Sequence, residues 1–129
     1  AGAHIREGDI VLLRARWDLQ ESIETPEFWT RAPWVEADAA EWLYGRGIKA
    51  IGYDFPQDYC IRNLVLGDRT PAVEENVTHM ILLKRGVIMM EYLCNMSAIQ
   101  GARCMVYALP LKVPDADGAP SRIIAIEED

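Results

Sequence analysis

The sequence is short of the residues from which self-contained catalytic or disulfide-held sites are built. Its 129 residues include only two histidines and three cysteines, and the net charge is −7. Two histidines cannot form a three-histidine zinc site, and three widely spaced cysteines exclude a disulfide framework. An acidic chain offers no basic groove for nucleic acid, and no apolar run approaches the about 20 residues that cross a bilayer. We expect a soluble cytoplasmic protein with no nucleic acid and no membrane as partner.

The cysteines and the common nucleophile motifs give no support to covalent catalysis. Cys60, Cys94 and Cys104 are interpreted as reduced thiols. Cys94 and Cys104 have apolar neighbours, which predicts buried side chains, and no histidine adjoins either one. The chain also lacks a Gly-x-Ser-x-Gly elbow, a Gly-x-x-x-x-Gly-Lys phosphate loop and a His-Glu-x-x-His helix.

The first half of the chain shows an alternation of strand and helix patterns. An apolar run over 9–14 follows Gly8 and predicts a central strand buried on both faces. Residues 17–34 lose any period and gather aromatics and prolines, which is typical of a long connection. Helix formers over 35–46, ended by Gly47, predict a helix, and 48–53 predicts a second buried strand. This order is that of a parallel crossover unit.

The second half continues the α/β pattern. Thr70 and Pro71 begin a predicted helix over 71–85, and Gly86 ends it. Short strands are predicted over 87–90, 102–109 and 121–126. We therefore expect a single α/β domain over 1–129. The apolar stripe of the 71–85 helix consists of Val73, Val77, Met80, Ile81 and the stem of Lys84.

His79 and Glu91 are the residues best suited to chemistry. At 100° per residue, His79 lies about 140° from the centre of the apolar stripe and so does not simply join the core. Glu91 directly follows a predicted strand, where side chains often project into a cleft. A buried carboxylate there is costly unless it is paired, protonated or bound to a metal. Spacing alone nevertheless favours a structural interpretation, with His79 on the surface and Glu91 starting a helix.

Other candidates carry two interpretations each. Asp54 and Asp58 follow the second buried strand, so they either face a site or cap the local turn. The tryptophans and Phe28 between residues 17 and 34 either line an aromatic pocket or pack into a core or interface, and we favour the latter. His4 is interpreted as a residue of a loose chain end.

Several stretches, taken in order, resemble the C-terminal half of the cyclase family, which includes bacterial kynurenine formamidase and isatin hydrolase. They are residues 8–14 followed by Trp17, 47–54, 79–83, 86–95, 110–112 and 116–122. The resemblance implies a swivelling β/β/α fold, with a mixed sheet flanked by helices. It also implies that His79 and Glu91 belong to the metal centre and the catalytic site, as ligands of a second metal or as close support where one metal is bound. The divalent metal would be zinc or manganese.

The same resemblance implies a metal-dependent hydrolase of an amide, lactam or cyclic imide, with an aromatic small molecule among the candidates, and a homo-oligomer. The family's His-x-Gly-Thr-His-x-Asp motif lies upstream of the first matching strand and is absent from this sequence. We therefore expect this chain to be the C-terminal portion of the domain, inactive alone and completed by an N-terminal portion of the same protein. Two alternatives remain: a non-catalytic scaffold that kept the fold, and a binding module that uses the tryptophans.

Overall fold

The structure is a computed structural model that describes residues 4–127. The chain divides into two compact units, residues 1–96 and 97–129. The described part of the first unit contains β1 (Ile10–Leu13), α1 (Pro26–Thr30), α2 (Ala37–Gly45), β2 (Ala50–Tyr53), α3 (Ile61–Leu66), α4 (Val77–Ile81) and β3 (Ile88–Met90). The second contains β4 (Met105–Pro110) and β5 (Ser121–Ile126). Helices and strands alternate as predicted, while the expectation of one domain stays a prediction.

The first unit is built on a parallel sheet with β2 in the middle. The register pairs Ile10–Leu13 with Ala50–Tyr53, and Ala50–Gly52 with Ile88–Met90. All four residues of β2 are buried, whereas those of β1 are only half-buried. The strand predicted over 9–14 exists, but its predicted central position and its predicted burial on both faces are wrong within the described sheet. β1 lies at an edge of that sheet, and an apolar run in the sequence does not distinguish an edge strand from a central one.

The predicted helix over 35–46 is confirmed as α2, but the continuous helix predicted over 71–85 is wrong. That segment consists of a 3₁₀ turn at Val73–Glu75, then α4, then a second 3₁₀ turn at Leu83–Arg85. Asn76 interrupts the helix because its side-chain amide donates to the carbonyls of residues 72 and 73. The described residues 4–127 contain no helix with the length and apolar character needed to cross a membrane.

The break also changes which side chains of that segment are buried. Thr78 and Leu82 are fully buried, whereas Val73, predicted to belong to the core stripe, is 68% exposed. Because the break at Asn76 rotates α4 relative to the preceding turn, a stripe computed for one straight helix misplaces the first residue. His79 lies outside the core, as predicted.

The core of the first unit draws its side chains from the sheet, from α2 and from the segment over 17–34. Trp17 is buried, and its Nε1 donates to the carbonyl of Phe28 over 2.8 Å. The core interpretation is therefore confirmed for Trp17 and Phe28, whereas Trp34 is 41% exposed. The predicted connection over 17–34 also contains a 3₁₀ turn and α1. The core residues are Trp17, Phe28, Ala32, Val35, Ala40, Leu43, Ile48, Ile51, Tyr53, Phe55, Leu82 and Val87.

The second unit is an antiparallel hairpin. β4 and β5 pair from Met105 with Ile126 to Pro110 with Ser121. The carboxylate of Glu127 accepts hydrogen bonds from the N–H groups of Gln100 and Gly101. Both C-terminal strands predicted from the sequence are present. None of the described residues 97–127 is fully buried.

Candidate metal centre

The candidate site lies at the carboxyl ends of two neighbouring parallel strands. Tyr53 is the last residue of β2, and Glu91 directly follows β3. The N–H of Leu93 donates to the carbonyl of Tyr53 over 2.7 Å, which extends the contact between the two strands beyond the ladder. Glu91 is therefore held at the sheet edge where side chains of α/β proteins project into clefts.

His79 reaches the same place from α4. The preceding residue, Thr78, is buried in the first turn of this helix, and its N–H donates to Oδ1 of Asp58 over 2.7 Å. N–H groups in a first turn lack helical partners, and negative charge is favourable at that end of a helix. Asp58, which comes from the loop after β2, therefore caps α4 and fixes its orientation.

The same carboxylate orients the imidazole ring. Nδ1 of His79 lies 2.8 Å from Oδ2 of Asp58, and that oxygen also accepts a 2.9 Å hydrogen bond from the hydroxyl of Thr78. An ionised carboxylate can only accept, so we assign the ring proton to Nδ1. Whenever the ring is neutral, Nε2 on its opposite side then carries a lone pair. Three donors offset the cost of burying the Asp58 charge.

Glu91 faces Nε2, the ring nitrogen of His79 that is not bonded to Asp58. Its Oε1 lies 3.9 Å from Nε2 of His79 and accepts a hydrogen bond from Nε2 of Gln57. The side chains of His79 and Glu91 are 39% and 34% exposed, so a small ion can reach both from solvent. Gln57 is fully buried, and its Oε1 has no hydrogen-bond partner among the described residues.

The carboxylates make this site favourable for positive charge. The hydrogen bond to Asp58 raises the pKa of His79 against the opposing effect of burial, and the charge of Glu91 raises it further. Burial raises the pKa of the Tyr53 hydroxyl well above its ordinary value, and the same two carboxylates add to that shift. The same negative charges would stabilise either a proton on His79 or a metal cation between His79 and Glu91.

The pair fits two ligands of a metal ion. Imidazole nitrogen and carboxylate oxygen bind zinc at about 2.1 Å, which places two ligands of a tetrahedral site about 3.4 Å apart. The 3.9 Å between His79 and Glu91 needs only a small side-chain movement to reach that value. Between residues 4 and 127, however, no group of three or more His, Cys, Asp or Glu side chains is placed to hold a metal. The described residues thus supply part of a site.

The structure brings together the two residues predicted from the sequence and adds two more. His79 and Glu91 lie side by side, although their roles as ligands and catalytic groups stay predictions. Asp58 entered the sequence reasoning only as one of two acids after a strand, and Gln57 was missed. Their position directly after the fully buried β2 was the available indication, because polar residues there either face a site or stabilise one.

Asp54, the other acidic residue after β2, forms hydrogen bonds with the backbone. It is buried, and its carboxylate accepts from the N–H groups of Ala15 and Arg16 over 2.9 and 2.8 Å. Arg16 has a left-handed backbone, with φ of 57°. Asp54 therefore stabilises a strained turn about 40 residues away in sequence, instead of capping its own turn.

Neither of the two cysteines that were predicted to be buried is fully buried. Cys94 is exposed, so the prediction that it is buried is wrong, whereas Cys60 is buried and Cys104 half-buried. Cys94 lies between Tyr92 and Asn95, which both have positive φ, in an irregular turn where apolar neighbours in sequence do not imply burial. Burial raises the pKa of the Cys60 and Cys104 thiols, which does not favour nucleophilic thiolates there.

A cleft of about 440 Å³ opens beside the residues that follow Glu91. Residues 92–94 form one wall, and the loop over 18–23, with Phe28 and Asp54, forms the rest. The ring of Tyr92 packs edge-to-face on Trp29 at 5.2 Å. Burial, together with the charges of Glu91 and Asp58, raises the pKa of Tyr92 to about 12, so the Tyr92 hydroxyl is uncharged at neutral pH.

Comparison with known proteins finds one family model and several solved structures that match this chain. Residues 1–57 match the model of the family described as Putative cyclase. The solved structure of a potential metal-dependent hydrolase with cyclase activity aligns with a TM-score of 0.68 and 31% identity, over 95% of this chain and 52% of that one. A predicted metal-dependent hydrolase from Bacillus stearothermophilus gives the same values. No curated protein sequence matches the chain.

An isatin hydrolase bound to the product analogue thioisatinate shares the fold, with a TM-score of 0.68, 22% identity, and coverage of 94% of this chain and 46% of that one. These findings confirm the predicted α/β fold class and the predicted resemblance to the cyclase family. The chain is similar in sequence and fold to two solved structures described as a potential and a predicted metal-dependent hydrolase. It spans about half the length of the structures it matches.

Proposed function

We propose that this chain supplies one half of the metal site of a hydrolase that acts on an amide or a cyclic amide or imide. The observation that carries the proposal is the pairing of Nε2 of His79 with Oε1 of Glu91 at 3.9 Å, each held by a buried partner. The similarity to structures described as metal-dependent hydrolases supports it. The proposed ion is zinc or manganese, and the proposed location is cytoplasmic.

The residues of this chain would hold and orient the reacting groups. A bound divalent ion supplies the Lewis acidity that polarises a carbonyl and lowers the pKa of water. His79 offers a neutral nitrogen because its proton is kept on Nδ1 by Asp58. Glu91 offers a carboxylate whose second oxygen can accept a proton from water. The cleft over residues 18–23 and 92–94 has room for a small, flat substrate.

Two side chains do not complete such a site. Three protein ligands are the usual minimum for catalytic zinc, so we propose that the others come from an N-terminal portion of the same protein. We therefore propose that the 129 residues form the C-terminal portion of the domain, inactive alone, and that the complete protein is a homo-oligomer. The expected substrates are small amides or lactams, tested as an aryl formamide and as isatin.

Metal analysis tests the proposal. We expect the complete protein to bind zinc or manganese stoichiometrically, and His79→Ala and Glu91→Gln to lose that ion. His4→Ala is the matched control, because it removes the other histidine, which is exposed, and it should keep the metal. Equal metal content in His79→Ala and wild type would overturn the proposal.

The alternative is a non-catalytic scaffold that kept the fold. It is favoured by one observation, namely that residues 4–127 contain no complete set of three metal-binding side chains. A folded, metal-free protein that hydrolyses neither substrate when the complete protein is assayed would support it. Zinc-dependent hydrolysis that disappears in His79→Ala would exclude it.

A further inference from the structure

Gln57 and Asp58, neighbours in sequence, each contact one of the two proposed ligands. Asp58 holds Nδ1 of His79 at 2.8 Å, and Gln57 donates to Oε1 of Glu91. Gln57 is 0% exposed and Asp58 is 2% exposed. Both lie in the loop after β2, where every residue from 51 to 58 is buried. A single rigid segment thus reaches both ligand side chains.

We propose that Gln57 and Asp58 are positioning residues that set the metal-binding geometry before an ion arrives. Asp58 fixes the tautomer of His79 and so presents Nε2, while Gln57 fixes the rotamer of Glu91 and aims Oε1 at the same point. The inference rests on the proposed function, and it assigns roles to two residues outside the proposed ligand pair.

The contacts of Asp58 fix the direction of its hydrogen bond with His79. Two of its three hydrogen bonds come from the N–H and hydroxyl of Thr78, which lock the carboxylate relative to α4. The third bond therefore has a fixed direction, and the ring of His79 must turn Nδ1 toward it. Metal-binding histidines commonly donate their other nitrogen to a carboxylate in this way, which fixes the tautomer and raises the basicity of the binding nitrogen.

The burial of Gln57 points to the same role. Its Oε1 is buried without a partner among the described residues, a cost that an apolar side chain of similar size would avoid. The amide of Gln57 donates a hydrogen bond to Glu91, which an apolar side chain could not do, because a carboxylate accepts only from N–H or O–H groups. Its orientation is set for the same reason, since a flipped amide would place oxygen against oxygen.

The tautomer of His79 tests the role of Asp58 without any metal. Long-range ¹H–¹⁵N correlation of the labelled chain, at a pH where the rings are neutral, distinguishes the two tautomers, and His79→Ala assigns the two histidines. We expect wild-type His79 to carry its proton on Nδ1. In Asp58→Asn the amide can donate to Nδ1, so the proton should move to Nε2, as occurs when the triad aspartate of serine proteases becomes asparagine.

The control for this measurement is Asp38→Asn, which alters an exposed acid of α2 and should leave the tautomer unchanged. A wild-type His79 protonated on Nε2 when neutral would overturn the role of Asp58, even if Asp58→Asn failed to fold. The wild-type spectrum is thus decisive by itself.

Zinc titration of the complete protein tests both positioning residues. Changes to residues behind a metal ligand typically weaken metal affinity 10–100-fold. We expect a loss of that size in Asp58→Asn and in Gln57→Leu, with the far-UV circular dichroism of the wild type. Unchanged zinc affinity in either variant would overturn the positioning role of the residue changed. Absence of zinc binding by the complete wild-type protein would instead count against the proposed function, so the two failures are distinguishable.

Discussion

At the scale of single residues, Asp54 determines how the chain leaves β1. Its buried carboxylate accepts from the N–H groups of Ala15 and Arg16. We expect Asp54→Ala to lower the free energy of unfolding by roughly 2–4 kcal/mol, because two partly buried N–H groups lose a charged acceptor. Urea denaturation of the purified chain measures this loss.

Asp18→Ala is the matched comparison for this prediction. Asp18 also accepts from a backbone N–H, that of Asn95 over 2.9 Å, but this hydrogen bond is exposed. Water can replace the lost acceptor, so we expect a loss below about 1 kcal/mol. Equal losses in the two variants would show that burial does not decide the contribution of these carboxylates.

At the scale of elements, Gly52 lets the central strand β2 pack against its neighbours. A Cβ at this position would lie 2.6 Å from Cδ1 of Leu93 and 3.0 Å from Cδ2 of Leu12. We expect Gly52→Ala to destabilise the fold by about 1 kcal/mol, because the half-buried side chains of Leu93 and Leu12 must move to make room for the added Cβ. Thermal or urea unfolding measures the change.

Gly45→Ala gives the opposite result in the same measurement. Gly45 is the last residue of α2, and a Cβ there would meet no atom within 4 Å. Alanine should stabilise this helical position by up to about 1 kcal/mol. Destabilisation by both substitutions would contradict the packing argument, since only one position is crowded.

Glu75 stabilises the turn that leads into α4. Its carboxylate accepts from both terminal nitrogens of Arg69, over 2.6 and 2.5 Å, and from the N–H of Ala72 over 2.8 Å. The hydrogen bonds from Arg69, followed by that from Ala72, lower the pKa of Glu75 from 4.5 to about 2. The folded pKa lies below the unfolded one, so this stabilisation is present above about pH 4.5 and is lost as the pH falls toward 2.

We therefore expect Glu75→Gln to unfold at a slightly lower temperature than wild type at about pH 7. The two proteins should converge as the pH falls from about 4.5 toward 2, because protonation then removes the same charge from the wild type. Circular dichroism melts across this range measure it, and the neighbouring Glu74→Gln should behave like wild type. A difference that stays constant with pH would exclude the ion pair as its cause.

At the scale of the whole molecule, the two units differ in how deeply their residues are buried. β2 is buried along its whole length, whereas no described residue in 97–127 is fully buried. An isolated two-stranded hairpin is marginally stable in water. In the monomeric chain, we expect amides of β4 and β5 to exchange with solvent at least about 100-fold faster than those of β2.

Hydrogen exchange read by mass spectrometry tests this expectation at several protein concentrations. One face of the hairpin carries exposed apolar side chains in cross-strand pairs, Met105 with Ile126 and Tyr107 with Ile124. Protection of β4 and β5 that rises with concentration would support the proposed homo-oligomer. Equal protection of β2 and the hairpin at every concentration would contradict the predicted difference.

The sequence alone predicted the order of the strands along the chain, a helix over 35–46 that the structure has at 37–45, and His79 and Glu91 as the residues to examine together. These follow from local information: apolar runs, helix formers, glycine stops, and an ordered resemblance to a family. The sequence did not predict the break at Asn76 or the exposure of Cys94, because each depends on how a turn is oriented.

Only the tertiary structure decided what surrounds His79 and Glu91. Gln57 and Asp58 lie 34 and 21 residues away from the side chains they contact, and the spacing along the chain gives no sign of those contacts. Parallel pairing of β2 with β3 brings the loop after one strand beside the end of the other. Hydrogen-bond direction, which sets the tautomer of His79 and the rotamer of Glu91, exists only once that packing has formed.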